Sequence, residues 1–297
     1  MSEPARVAAV GLAELVTLLA AGAAFGKTRA RLALTIVLAL AALALPWALP
    51  PWPFVRAPFA LASMFPTLRT IELAMDRRSF GVLQRALTYV APLDTLAARR
   101  VAPRLERAGV ARMLLYGTVL ALGLGTIALA PQGALALPVR CLGAVLVMVG
   151  AMDTLSAFLR TALLGIGIEV PAVQEDPILS RTLGEFWGRR WNRAVGGWLR
   201  KHCFTPLARR GRPRAGLALA FVASALLHFW PVFVALGLGP ALLMAGFFGA
   251  QAILVVVEAR LGIARWPRPI GRALTVLALL GTSPLFTLPV LGLFGLA

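Results

Sequence analysis

Apolar residues run through this chain in long uninterrupted blocks, and polar residues gather between them. Eight such blocks stand out, at about Val7 to Phe25, Leu32 to Pro50, Ala57 to Met75, Met113 to Ala130, Val139 to Leu164, Ala215 to Leu236, Ala241 to Ala259 and Ala273 to Leu296. Most approach 20 residues with few or no charges, which is the length an α-helix needs to cross about 30 Å of hydrocarbon. The pattern predicts an all-α polytopic bundle of about eight transmembrane helices. The third block is the least regular, because Pro66, Arg69 and Glu72 interrupt it, and a kinked or partly inserted segment is expected there. The first block carries Glu14 and has neither a basic leader nor a small-residue cleavage site before Lys27, so it reads as a retained helix rather than a cleaved signal.

The polar intervals alternate in charge. The loops after blocks one, three, five and seven hold 25 of the 30 Lys and Arg residues, whereas the loops near Pro51, Pro131 and Gly239 are almost bare. With eight crossings, all the basic loops fall on one side. The positive-inside rule makes that side cytoplasmic, with both ends of the chain on the other. Composition agrees: 59% of the 297 residues are hydrophobic and 14% charged, against about 25% charged in soluble domains, and the mean hydropathy is +0.82. The formal net charge of +18 therefore follows from membrane topology, and a nucleic-acid partner is not expected. Residues 1–297 read as a single membrane domain. Short loops and the Ala/Arg/Gly/Leu bias point to a bacterial inner membrane, with an internal eukaryotic membrane as the alternative. Cys141 and Cys203 make a poor disulfide pair and have no metal-ligand spacing; no metal or permanently bound cofactor is expected.

The densest polar chemistry sits in the longest basic loop, in the stretch GEFWGRRWNRAV from Gly184 to Val195. Asp176-Pro177 signals a turn ahead of it. Ser180 or Thr182 then serves as a helix N-cap, with Glu185 in the first turn. On a regular helix Trp187 and Trp191 share a face, Glu185 pairs with Arg189 at i, i+4, and Asn192 faces the same way as Gly188. One reading is an amphipathic helix lying in the membrane interface, with Phe186, Val195 and Trp198 adding apolar area and Arg189, Arg190 and Arg193 turned to headgroups. The other is that Asn192 belongs to a reaction centre.

The second constellation is SALLHFWP, Ser224 to Pro231, which places His228 inside an apolar block. A titratable group there is costly and marks function by default. It reads either as a neutral imidazole bonded to a neighbouring carbonyl or to Ser224, or as a general base. His202, among Arg200 and Lys201, reads as a solvated surface residue.

Taken together, the two constellations resemble the membrane-bound O-acyltransferase superfamily, most closely its wax synthase branch. The resemblance rests on Asp176-Pro177, on the Leu-x-x-Phe-Trp-x-x-Arg-Trp-Asn block from Leu183 to Asn192, and on Ser224 to His228, 36 residues beyond Asn192. It departs at Ala225, where the family often has glycine, and at Phe229, where plant members often have an acidic residue. The resemblance implies transfer of a fatty acyl group from acyl-CoA to a lipid hydroxyl, with His228 as catalytic base and Asn192 as its partner. A long-chain alcohol giving a wax ester is the leading acceptor. A sterol, diacylglycerol or specialised-metabolite hydroxyl is the alternative, and an acyl carrier protein is an alternative donor. Coenzyme A is polyanionic, which suits Arg189, Arg190 and Arg193, since guanidinium groups bind phosphate bidentately; Trp187 and Trp191 lie beside them. On this reading Asn192 faces the mouth of the cavity that holds His228, surrounded by membrane lipid. A lipid or small-molecule transporter is the reading from another class, and the absence of related halves in the sequence speaks against it.

Overall fold

The structure, a computed structural model, describes residues 2–75, 81–90 and 98–297. Among them are seven helices long and apolar enough to cross a membrane. They are α1 (Glu3–Ala24), α2 (Arg29–Ala44, prolonged as a 3-10 turn to Ala48), α6 (Arg107–Ala128), α7 (Ala136–Gly165), α11 (Pro213–Leu236), α12 (Leu238–Leu261) and α13 (Arg268–Leu293). Each coincides with a predicted block. In hydrocarbon every backbone N–H and C=O has to be satisfied within the segment, so an apolar run of this length has helix as its local solution. Leucines such as Leu114, Leu122 and Leu277 remain exposed; on an integral membrane protein that surface faces lipid. At 30 residues, α7 is about 45 Å long, more than the hydrocarbon needs, so its terminal turns reach the polar interface.

The third block departs from expectation. It forms two short helices, α3 (Pro53–Ala62) and α4 (Phe65–Met75), with a turn at Ser63 and Met64. Pro66 cannot donate to the carbonyl four residues earlier and is tolerated only in a first helical turn, so the helix stops and restarts around it. Phe59 of α3 lies against Gly11 near the middle of α1. Leu73 of α4 packs with Ala21 and Phe25 at the other end of α1. The broken pair thus follows α1 from Gly11 to Phe25. Arg77 and Arg78 of the second basic loop lie outside the described residues.

The chain forms two compact units. One comprises the chain up to Leu96 together with Leu226–Leu242; the other comprises Ala97–Ala225 and Leu243–Ala297. In the first, α1 and α2 are antiparallel, with Arg6 Nε donating to the carbonyl of Ala48. A fifth helix, α5 (Val82–Val90), approaches α1 at Gly22, where a Cβ would stand 2.7 Å from Cα of Ala86. Tyr89 is fully buried against Ala21, Phe25 and Leu73, its hydroxyl bonded to that of Thr70.

In the second unit α6 and α7 form an antiparallel pair with backbones in contact. A Cβ on Gly123 would lie 2.6 Å from the amide nitrogen of Val147, and one on Gly143 would lie 2.9 Å from the carbonyl oxygen of Gly123. Small residues are what let membrane helices approach so closely, since no hydrophobic force drives them together in lipid. Below this pair the two-residue strands β1 (Arg99–Arg100) and β2 (Ile168–Glu169) pair antiparallel, Arg99 opposite Glu169. At the other end α13 closes on α7 through Cys141, Ala144 and Leu291, and Arg140 donates to the carbonyl of Leu296. Both cysteines are buried free thiols.

Gly123→Leu should destabilise the α6–α7 pair by about 1–3 kcal/mol, the usual cost of overpacking, seen as a lower melting temperature in detergent. Gly117→Ala on the same helix meets open space and should be neutral or stabilising by about 0.5–1 kcal/mol. Equal effects of the two would refute the close-approach account.

Candidate active site

The motif loop begins with an irregular lead, residues 172–176, that lies along the end of the motif it precedes. Glu175 N–H donates to the carbonyl of Arg190 (2.9 Å) and Arg193 N–H to that of Val173 (2.8 Å). Asp176 turns the chain with φ 44° ahead of a 3-10 turn at Pro177–Leu179, the turn that Asp-Pro predicts. Asp176 and Asn192 are the two non-glycine residues with positive φ among those described. Asp and Asn tolerate this region better than other side chains do, and such strain persists where the surroundings enforce it, often at functional sites.

Thr182 is the N-cap, its hydroxyl accepting from the N–H of Glu185 at 2.9 Å. Glu185 reaches back to the N–H of Arg181 at 2.8 Å, a close variant of the capping box. The short helix α8 (Leu183–Glu185) that follows has a second anchor. Glu258, on α12, accepts from the N–H groups of both Leu183 and Gly184 at 2.6 Å. A carboxylate at a helix start satisfies orphan donors and matches the helix dipole.

From Phe186 to Arg190 the backbone is π-helical, with the N–H of Trp191 bonded to the carbonyl of Phe186, five residues back. Such turns are rare and frequent at functional sites. The wider turn changes which residues are neighbours. Glu185 pairs with Arg190 (2.6 Å), not with Arg189. Phe186 stacks on Trp191, with centroids 5.5 Å apart and planes at 12°, while Trp187 points elsewhere, so the two tryptophans do not share a face. Trp187 packs edge-on against Phe221 of α11 and Phe247 of α12, and its Nε1–H donates to Gln251 Oε1 at 3.0 Å. Gln251 is fully buried and passes a hydrogen bond on to Thr282 of α13. The single in-plane amphipathic helix expected here is therefore a broken one, packed inward on Leu183, Phe186 and Trp187.

The helix breaks at Asn192, whose φ of 39° ends alignment with Gly188 and starts α9 (Arg193–Leu199). Asn192 Oδ1 accepts from the N–H of Val195 at 3.4 Å, and its own N–H donates to Gln174 Oε1 at 3.1 Å. Its side-chain nitrogen has no partner among the described residues and is left as a donor. Beyond α9 a second π-turn at Arg200–Phe204 leads into α10 (Thr205–Ala208). There His202 is half-buried against the ring of Trp198, centroids 4.9 Å apart, and is not the freely solvated residue its basic neighbours imply. Burial pushes the Cys203 thiol up.

The three arginines differ. Arg190 is held by Glu185 and by the carbonyl of Glu175. Arg193 pairs with Glu175 at 2.9 Å. Arg189 is exposed and makes no ion pair among the described residues. His228 is half-buried on the later half of α11, in the unit that contains the N-terminal helices. Near it Phe229 stacks on Phe233, which meets Trp47 edge-on, and Pro231 cannot donate to the helix carbonyl four residues back. Asn192, Trp187 and Trp191 belong to the other unit. Sequence reasoning did not find Gln174, Gln251 or Glu258 as partners of the motif. The seven-residue spacing of Gln251 and Glu258 on one stripe of an apolar helix was the available signal, since polar side chains there are costly unless used.

Burial pushes the Glu185 carboxyl up, but the N–H of Arg181 and the guanidinium of Arg190 outweigh it and hold it below the usual carboxylate range. A lowered folded-state value means that the stabilisation is complete above the ordinary carboxylate pKa and is lost as pH falls through the lowered one. Glu185→Gln should therefore lower stability by on the order of 1 kcal/mol at neutral pH. In thermal melts the gap to the parent protein should close in acid; a gap that is independent of pH would show that the charge is not responsible.

Residues 170–249 match the family described as membrane bound O-acyl transferase. The chain is 30% identical over 155 residues to the probable long-chain-alcohol O-fatty-acyltransferase 2 of Arabidopsis thaliana, a match covering 48% of this chain and 43% of that relative. It is 29% identical over 140 residues to the long-chain-alcohol O-fatty-acyltransferase of Simmondsia chinensis, covering 43% of this chain and 40% of the relative. The chain thus matches less than half the length of these curated relatives. Over the region that carries its motif, the chain is similar in sequence to the membrane-bound O-acyltransferases of the wax synthase type, the family its Phe-Trp-x-x-Arg-Trp-Asn block resembles.

Proposed function

We propose that residues 1–297 act as one membrane acyltransferase domain that moves a fatty acyl group from acyl-CoA to the hydroxyl of a long-chain alcohol, giving a wax ester. The observation that carries this reading is the motif turn itself. A rare π-turn and a left-handed asparagine, held by Gln174, Gln251 and Glu258, present an amide donor in the block on which the family resemblance rests. The basic motif loop faces the cytoplasm, in keeping with the charge alternation, and the composition favours a bacterial inner membrane.

An alcohol attacks a thioester poorly unless its proton is removed as the new bond forms. His228, as a neutral imidazole, takes that proton while the alcohol oxygen bonds to the thioester carbon and the carbonyl becomes an oxyanion. Collapse of the oxyanion expels the coenzyme A thiolate, which recovers the proton from the imidazolium; ester and thiol leave, and the histidine is neutral again. The free Nδ2–H of Asn192 stabilises the oxyanion or fixes a reactant's position. Arg189, exposed and without an ion pair among the described residues, is the best placed of the three arginines to meet coenzyme A phosphate. Arg190 and Arg193 serve chiefly to hold the loop, with Trp187 and Trp191 forming its aromatic floor.

Membranes containing the protein, supplied with labelled palmitoyl-CoA and a panel of alcohols, should yield labelled wax ester. Failure to acylate any alcohol would overturn the reading. His228→Ala should leave folded protein with turnover reduced on the order of 10²–10⁴-fold. Asn192→Gly keeps the left-handed backbone without strain and should lose roughly 2.7–4 kcal/mol of transition-state stabilisation, as removal of an oxyanion donor does. Near-normal turnover in either well-folded variant would remove that residue from the mechanism.

Arg189→Glu should raise the Michaelis constant for acyl-CoA and leave that for the alcohol unchanged, whereas Arg190→Glu should lower the melting temperature by breaking the Glu185 clamp. Equal effects of Arg189→Glu on both substrates would argue against phosphate recognition.

A further inference from the structure

A cleft of about 470 Å³ lies between the first turns of α6, the last turns of α7 and the lead segment 172–176. It is separate from the motif's aromatic packing; of the residues assigned a role above, only Gln174 and Asp176 line it. Its volume is that of a small-molecule site.

The charges in its wall are already matched. Arg112 donates to the buried carboxylate of Asp153 (2.6 Å) and to Asp176 (2.9 Å). Arg160 is bidentate to Glu106 at 2.9 and 3.0 Å. Three carboxylates face two guanidinium groups, so the cleft has no excess positive charge with which to draw a polyanion such as a nucleotide. Between these pairs the wall is apolar: Ala108, Ala111 and Ala157 line it. It opens along the lipid-exposed face of α6, where Leu115 is 62% exposed.

One group in the wall lacks what it needs. Gln174 is only 3% exposed. Its Oε1 is taken by the N–H of Asn192, but its Nε2 is buried without a hydrogen-bond partner among the described residues. A buried unsatisfied donor is costly, and a ligand oxygen placed in the cleft removes that cost. Asp176, half-exposed at the rim, offers an acceptor for a hydroxyl hydrogen.

We infer that this cleft binds a neutral amphiphile by its hydroxyl group. The hydroxyl oxygen accepts from Gln174 and its alkyl chain lies along α6. Naming that amphiphile as the acceptor of acyl transfer rests on the function proposed above; the binding itself does not. Two sources share this chemistry, a long-chain primary alcohol and a hydroxyl-bearing glycerolipid.

The test is photolabelling of the purified full chain in nanodiscs with a diazirine analogue of hexadecanol, without acyl-CoA, followed by peptide mapping. Label is expected on peptides spanning residues 108–116 and 156–160. Competition by unlabelled hexadecanol or by diacylglycerol supports the inference, and whichever competes better names the source. Gln174→Leu should weaken labelling about tenfold, the equivalent of one buried hydrogen bond. Since Gln174 also holds Asn192, Ala108→Trp at the exposed rim is the second variant. It should abolish the label and raise the Michaelis constant for the alcohol but not for acyl-CoA. Displacement of the label by palmitoyl-CoA, label elsewhere in the chain only, or full labelling of Ala108→Trp would overturn the inference. Wax ester formation with an unlabelled cleft defeats this inference alone, whereas a specifically labelled cleft without ester formation defeats the acyltransferase reading and leaves the site standing.

Discussion

A single carboxylate on a membrane helix receives the free end of the motif's first turn. Glu258 accepts from two backbone N–H groups at once, and one turn further on Gln251, two helical turns earlier on the same stripe of α12, takes the indole N–H of Trp187. Few buried interactions are as demanding as those of polar groups in a low-dielectric interior, where each must find its partner or lose several kcal/mol. That demand makes the arrangement specific: if the motif shifted by one residue along α12, both Glu258 and Gln251 would lose their partners. The cap at Thr182, the π-turn after Glu185 and the left-handed break at Asn192 all follow from a segment held in this register.

The same logic sorts the charges. Arginine is abundant in the motif loop, and within the motif itself two of the three are matched by carboxylates, Arg190 by Glu185 and Arg193 by Glu175. A paired guanidinium organises backbone; an unpaired one attracts anions. Arg189 is thereby set apart from Arg190 and Arg193, since it makes no ion pair among the described residues. Around the α6–α7 cleft the balance tips the other way, with carboxylates in excess, and the two regions are suited to different classes of ligand.

The extent to which the fold could be read in advance follows from the range of the forces concerned. Transmembrane helices answer to a local requirement, that each backbone group be satisfied within its own segment, so their positions follow from runs of apolar residues. The Thr182 cap and the Asp176-Pro177 turn are local in the same sense and were legible for the same reason. The third block shows where this ends: Pro66 announced an interruption, but only packing against Gly11 and against Ala21 with Phe25 determined that the two halves would still follow α1.

By itself, then, the sequence determined a polytopic helical membrane protein, the alternation of basic and bare intervals between its apolar blocks, and a Phe-Trp-x-x-Arg-Trp-Asn block with a histidine 36 residues on. Tertiary structure decided the register of that block. It made the partner of Glu185 Arg190 rather than Arg189, separated Trp187 from Trp191, and turned Asn192 out of line with Gly188. Helical periodicity carries information over three or four residues. The contacts of Leu183 with Glu258 and of Trp187 with Gln251 join residues 75 and 64 apart, and no local period encodes a pairing at that distance. A five-residue turn was adopted there because partners on α12 had to be met, and that requirement exists only once the helices are packed.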